Sequence, residues 1–276
     1  MHSTASDGVC PPSEVVRRAA MQRLTVIALT DHDTLAGIRE AAGEGVRQGV
    51  RVIAGCEFSV AAPWGEMHLL AYFLPSNEPR LEAFLADKRG KRVVRAQHMV
   101  DRLRGLGLPV SLDEVESEAG TGAVGRPHVA RVLVRGGHVA DVPEAFSRFL
   151  GSRRPAFVPK ELPSVNEVTA LVRSLGGVTS AAHLVSRATR RGLASLSARG
   201  VDGVEVRHPL HDVRRATEIE HLTGDLGMMR TGGTDWHGDS TDERNRAPLG
   251  SITIPEQWLN DIEQLHQQRI TVEEAG

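Results

Sequence analysis

Short apolar runs with β-branched centres recur between helical stretches, and the polar residue that follows each run is histidine, aspartate or glutamate. Residues 24–29 form one such run, followed by Thr30-Asp31-His32-Asp33, and residues 51–54 another, followed by Gly55-Cys56-Glu57. The run at 177–182 ends in His183, and the run at 227–231 leads into Gly233-Thr234-Asp235-Trp236-His237-Gly238. Helical spacing fills the intervals at 12–22, 33–48, 165–175, 184–198, 213–222 and 255–268, with further strands expected at 67–73, 204–206 and 250–254. Alternation of this kind predicts a parallel α/β layout. Ligands and catalytic groups of such folds gather at the carboxyl ends of the strands.

The alternation stops between residues 76 and 163, where the patterns at 81–106, 111–118, 129–134 and 143–150 are all helical. We therefore expect a host formed by residues 1–75 and 164–276, carrying a helical insertion at 76–163. With 276 residues and 40% apolar content the chain is long enough to bury a full core.

A single histidine at a strand end is usually a satisfied polar group. Several together, beside acids, are what a multinuclear metal site needs. His98, His138, His221 and His266 scatter over helices and read as surface or packing residues. Cys56 flanks Glu57 but reads as a small packed side chain rather than a ligand.

Lys and Arg total 33 against 35 Asp and Glu, so no net basic field draws the chain to long duplex nucleic acid or to a membrane. Aromatics at 4%, with one tyrosine, argue against stacking platforms for long single strands. Two lone cysteines, Cys10 and Cys56, fit a reducing compartment. No apolar run approaches a bilayer span, and a cytoplasmic protein is expected.

The segments 3–8, 29–37 and 55–59 resemble the opening motifs of PHP (polymerase and histidinol phosphatase) domain proteins. The resemblance continues through Glu66-Met67-His68-Leu69-Leu70, Gly125-Arg126-Pro127-His128, Ala182-His183 and the segment from Gly233 to Gly238, in order along nearly the whole chain. It is strongest with the branch of nucleoside 3',5'-bisphosphate phosphatases and 5'-3' exoribonucleases. This likeness implies an α/β fold, a distorted (β/α)7 barrel with a helical insertion. It also implies two or three divalent ions, of manganese, zinc or iron, and a water acidified by them as nucleophile. Carried over by position, the ligands are His2, Asp7, His32, Glu57, His68, His183, Asp235 and His237, with Glu57 bridging two ions.

Arg126 is the candidate for the substrate phosphate, since guanidinium matches phosphate bidentately; otherwise it is a surface residue at a helix start. His128 could add a donor or protonate the leaving oxygen. His208 and His211 follow the strand at 204–206 and are candidate substrate contacts. The family's first motif is His-x-His, of which this sequence holds the second histidine as His2, so the first strand is expected to be truncated and the natural chain to start upstream.

The expected activity is hydrolysis of a phosphate ester on a small nucleotide or short oligoribonucleotide. Two alternatives stand beside it: a histidinol-phosphate or other phosphomonoester phosphatase, and a metal-binding PHP domain without catalysis. Nothing in the sequence addresses oligomeric state.

Overall fold

Six strands lie in chain order across one mixed sheet in the computed structural model of the protein, which describes residues 1–120, 122–239 and 247–274. They are β1 (Val26–Leu29), β2 (Arg51–Ala62), β3 (Gly65–Tyr72), β4 (Val178–Ala181), β5 (Gly203–Arg207) and β6 (Met229–Gly232). Helix α1 (Pro12–Met21) starts on a proline whose missing N–H costs nothing there. Helix α2 (Ile38–Gln48) ends at Gly49, which takes the left-handed conformation at φ 69°. Between β3 and β4 come α3 (Pro79–Gly105), α4 (Leu112–Ala119), α5 (Arg126–Arg135), α6 (Val142–Ala145) and α7 (Val165–Arg173). Then follow α8 (Arg190–Ser197), α9 (Val213–Asp225) and α10 (Glu256–Glu274).

The parallel layout expected from the alternation holds for β1 with β2, β4 with β5 and β5 with β6. It fails in the middle, where β3 runs antiparallel to both β2 and β4. The reason is the connection. Only Pro63 and Trp64 separate β2 from β3, and so short a link closes a hairpin rather than a crossover. Gly65, at φ 114°, completes the turn.

The sheet is open, which corrects the expectation of a seven-stranded barrel. No ladder joins β1 to β6 among the described residues, and a groove of about 540 Å³ lies between them, floored by Ile53 and Tyr72 and bordered by Trp258 and Leu259. Residues 250–254 were expected to form a strand but are irregular. The side chains there fill space instead of pairing: Ile254 reaches to where a Cβ on Gly232 would sit. At one end of the groove the chain's first residues touch both sides, Met1 accepting a bond from the Thr30 N–H and His2 donating one to the Trp236 carbonyl.

Two main apolar clusters hold the molecule. One packs one face of the sheet and includes Leu29, Phe58, Leu69, Val204 and Trp236, while Ile53, Leu70, Tyr72 and Ala182 form a small cluster on the other face. The other lies among α3 to α6 and includes Met99, Leu103, Val115, Leu133 and Leu150. Helix α3, 27 residues long, belongs to both: Leu81 and Leu85 join the first, Ala96 to Leu103 the second. Where it passes the sheet, Arg92 is buried against Asp33 at 2.5 Å. Replacing Arg92 with Met would leave the Asp33 charge without its partner in the interior, so the variant is expected to lose about 3–5 kcal/mol. Urea unfolding of the two proteins measures it.

Candidate metal centre

The turns after the strands hold their side chains inward at a cost in backbone strain. Asp33 (φ 51°), His183 (φ 31°) and Asp235 (φ 49°) occupy the left-handed region, which non-glycine residues rarely visit. For Asp33 this displaces the expected helix start, and α2 begins only at Ile38. Glu57 and His68 come from strand interiors instead. β2 runs eight residues further than the apolar pattern at 51–54 indicated, because its inward positions are polar. In the β2–β3 ladder Ser59 faces His68 and Glu57 faces Leu70, so both ligand-type side chains come from neighbouring strands.

Glu57 is the hub. Its Oε2 lies 2.9 Å from His2 Nε2, and its Oε1 lies 2.6 Å from His68 Nδ1 and 3.3 Å from His183 Nε2. Asp235 Oδ1 is 3.2 Å from His2 Nε2, and Asp7 Oδ1 is 3.3 Å from His237 Nε2. Asp7 Oδ2 also faces His32 Nε2 at 3.9 Å, and the His2 and His237 rings stack at 4.0 Å. Three sets of donor atoms lie within 4.8 Å of one another: His2, Asp7, His32 and His237; His32, Glu57 and His68; His2, Glu57 and Asp235. Seven of the eight residues expected as ligands fall in these sets, and His183 adjoins them through Glu57. Asp31, beside them in sequence, has a different task. Its carboxylate accepts from the Ser3 N–H and from the Ser3 and Ser6 hydroxyls, fixing the loop that carries Asp7.

The charges fit a cation site. Burial would raise the Glu57 and Asp7 carboxyls, but the surrounding imidazoles hold both well below the usual carboxylate range. Burial would equally lower His2, yet Asp235 and Glu57 reverse this and raise it to about 10. Burial likewise opposes a proton on His183, and Glu57 overcomes it, lifting the imidazole to about 9. His32, buried and beside other imidazoles, falls to about 3. Carboxylates and imidazoles gathered in this density could hold divalent metal ions.

The remaining candidates divide. His208 Nδ1 accepts from the Leu210 N–H, which places the ring proton on Nε2. That Nε2 is buried and has no partner among the described residues, and it lies 4.0 Å from Glu205 Oε2. His211 is engaged on both nitrogens, by the Val206 carbonyl and the Val185 N–H. His128 is buried at the start of α5, where its Nδ1 accepts from the Gly125 N–H, and burial lowers it to about 4. These two rings fasten backbone. Arg126, at the first position of α5, stands over the rings of Phe146 and Phe157. Cys10 and Cys56 are both buried free thiols, and Cys56 is fully enclosed.

Sequence reasoning passed over Glu205. It is buried, accepts from the His183 N–H at 2.8 Å and so braces the strained turn that aims His183. Burial pushes its carboxyl up to about 8. Its position in the apolar run 204–206 was the available signal, since a lone acid there has to be satisfied inside.

Comparison with known proteins agrees with this geometry. The PHP domain family model matches residues 1–191. A 5'-3' exoribonuclease of Haemophilus influenzae is 32% identical over 241 residues, covering 86% of this chain and 88% of that protein. A 3',5'-nucleoside bisphosphate phosphatase of Chromobacterium violaceum is 30% identical over 244 residues, covering 86% and 85%. A crystal structure of a predicted metal-dependent phosphoesterase from Bifidobacterium adolescentis superposes with a TM-score of 0.86 at 28% identity, covering 96% of this chain and 94% of that one. With the family matched over more than half its length and its strand-end acids and histidines gathered at one place, the chain belongs to the PHP domain family.

Proposed function

We propose that this protein removes the 3'-phosphate of nucleoside 3',5'-bisphosphates and trims short RNA from the 5' end. Its broader class is that of the metal-dependent hydrolases of phosphate esters, to which its relatives belong. The observation that carries the reading is Glu57, whose two oxygens reach the imidazoles of His2, His68 and His183 and which belongs to two of the three donor sets that could hold a metal ion.

His2, Asp7, His32, Glu57, His68, His183, Asp235 and His237 would hold two or three divalent ions. When bound, such ions polarise phosphoryl oxygens and acidify water. The protein's own groups do the rest. His208 offers an Nε2–H that no described residue accepts, available to a substrate oxygen or the departing alkoxide. Glu205 keeps the His183 turn in place. Arg126 takes part in binding phosphate, while His128 and His211 hold the loops around it. Among the described residues no helix is long and apolar enough to cross a membrane.

The test is phosphate release from adenosine 3',5'-bisphosphate and from histidinol phosphate, assayed in parallel on manganese-loaded protein. A preference of about 100-fold or more in kcat/KM for the nucleotide is expected, because a site built for polar groups rejects substrates that lack them. No release from any nucleoside bisphosphate would overturn the reading.

A further inference from the structure

We infer that Val185 and Leu210 form an apolar shelf beside the metal centre that carries the nucleobase of the substrate, with His208 donating to the sugar. This deepens the proposed function and rests on it for the identity of the ligand.

The backbone just beyond His183 is strained twice. His183 stands at φ 31°, and two residues on Val185 opens a short 3-10 turn (Val185–Arg187) at φ 46°. A β-branched residue is a rare occupant of the left-handed region. Such a conformation persists only where the surroundings over-determine it. Here the Val185 N–H donates to His211 Nε2 at 3.2 Å, and its carbonyl accepts from Arg215 Nε at 3.0 Å and Nη2 at 2.7 Å. His211 is fixed in turn, its Nδ1 lying 2.9 Å from the Val206 carbonyl.

These bonds hold a valine whose side chain is not spent on the core, being 39% exposed. Asparagine or glycine would take the same backbone with less strain, so the fold does not account for an apolar group at this place. Leu210 precedes the His211 that holds Val185, and it is also exposed, at 40%. Its N–H donates to His208 Nδ1 at 3.1 Å. Two exposed apolar side chains thus stand on the two loops that His211 ties together.

The imidazoles give the direction to the metal centre. The rings of His183 and His208 are 5.5 Å apart, and those of His208 and His211 are 5.8 Å apart. His208 therefore lies between the metal-facing His183 and the shelf, and its buried Nε2 has no partner among the described residues. This is the order of groups in a nucleotide: a phosphate ester, a sugar whose oxygens accept hydrogen bonds, and a base with an apolar face. A base lying over Val185 and Leu210 removes their apolar surface from water. A sugar phosphate without a base has nothing to place there.

The experiment compares binding of adenosine 5'-phosphate and ribose 5-phosphate to the manganese-loaded protein by calorimetry. The two ligands differ by the base, and neither has a 3'-phosphate to lose. The base should tighten binding by about 10-fold or more, as expected for covering two aliphatic side chains. Val185→Asn and Leu210→Ser should each shrink that ratio by about 3-fold, and the double variant should bring it close to one. Val185→Asn should also melt about 2 °C higher than the parent, because asparagine accepts the left-handed backbone more readily. A parental ratio near one, or a ratio that survives the double substitution, overturns the shelf. So does a Val185→Asn protein that melts well below the parent, which would make the valine a packing residue. A base-dependent ratio lost in the variants, in a protein that releases no phosphate from adenosine 3',5'-bisphosphate, would defeat the phosphatase reading and leave the shelf standing.

Discussion

The Glu57→Gln variant will release phosphate on the order of a thousandfold more slowly than the parent, a barrier increase of about 4 kcal/mol, and will hold fewer divalent ions per chain. The substitution preserves shape but swaps one carboxylate oxygen for an N–H₂ group that cannot ligate, and it deletes the negative charge that three imidazoles approach. All three donor sets are disturbed at once, since His32 and His68 share one with Glu57, and His2 links Glu57 and Asp235 to Asp7 and His237. Metal content by mass spectrometry and turnover should fall together. Full metal content with parental turnover would remove Glu57 from the centre of the site.

The second large effect is on pH. In the metal-free protein His2 holds its proton to about 10 and His183 to about 9, both above the free imidazole value of 6.5. A cation entering either position expels a proton, so affinity rises with pH, by about 10-fold per pH unit for each proton displaced. The gain runs from near neutrality, loses its His183 contribution above about pH 9, and ends above about pH 10 when His2 is also bare. Stability of the metal-free protein moves the other way. A folded-state value raised above the unfolded one stabilises in full below about 6.5, and that contribution is lost as pH climbs through 9 to 10. Chelated protein should therefore melt at progressively lower temperature across this window, while metal-loaded protein does not. Parallel melting curves that descend together would show that these two imidazoles are not the ion's competitors.

The residues of the candidate site were easier to read in the sequence than the sheet was. His32, His183, Asp235 and His237 follow apolar runs, so their positions were readable from the pattern alone. Glu57 and His68 sit inside strands whose inward positions are polar, which hid the length of β2 and, with it, the hairpin that turns β3 around. The apolar residues at 250–254 carried a strand pattern, yet they fill the groove beside β6 without pairing. His128 and His211 have the chemistry of a site and spend it on backbone groups. Residue type alone does not separate such a histidine from His208. Arg95 was passed over for a different reason: it lies in a charged helical stretch, and only packing shows that its Nη2 is buried without a partner among the described residues.

Helix α3 also bears on how this protein could be re-engineered. Its first turns are part of the sheet's packing and its last turns part of the other helices' packing, with Arg92 and Arg95 between. A graft that exchanged α4 to α6 for helices of another protein would cut through one cluster only and leave the Arg92–Asp33 pair in place. A graft that began before α3 would open both clusters and strand Asp33. The change from one cluster to the other thus falls within a single helix, between Leu85 and Ala96, rather than in a loop.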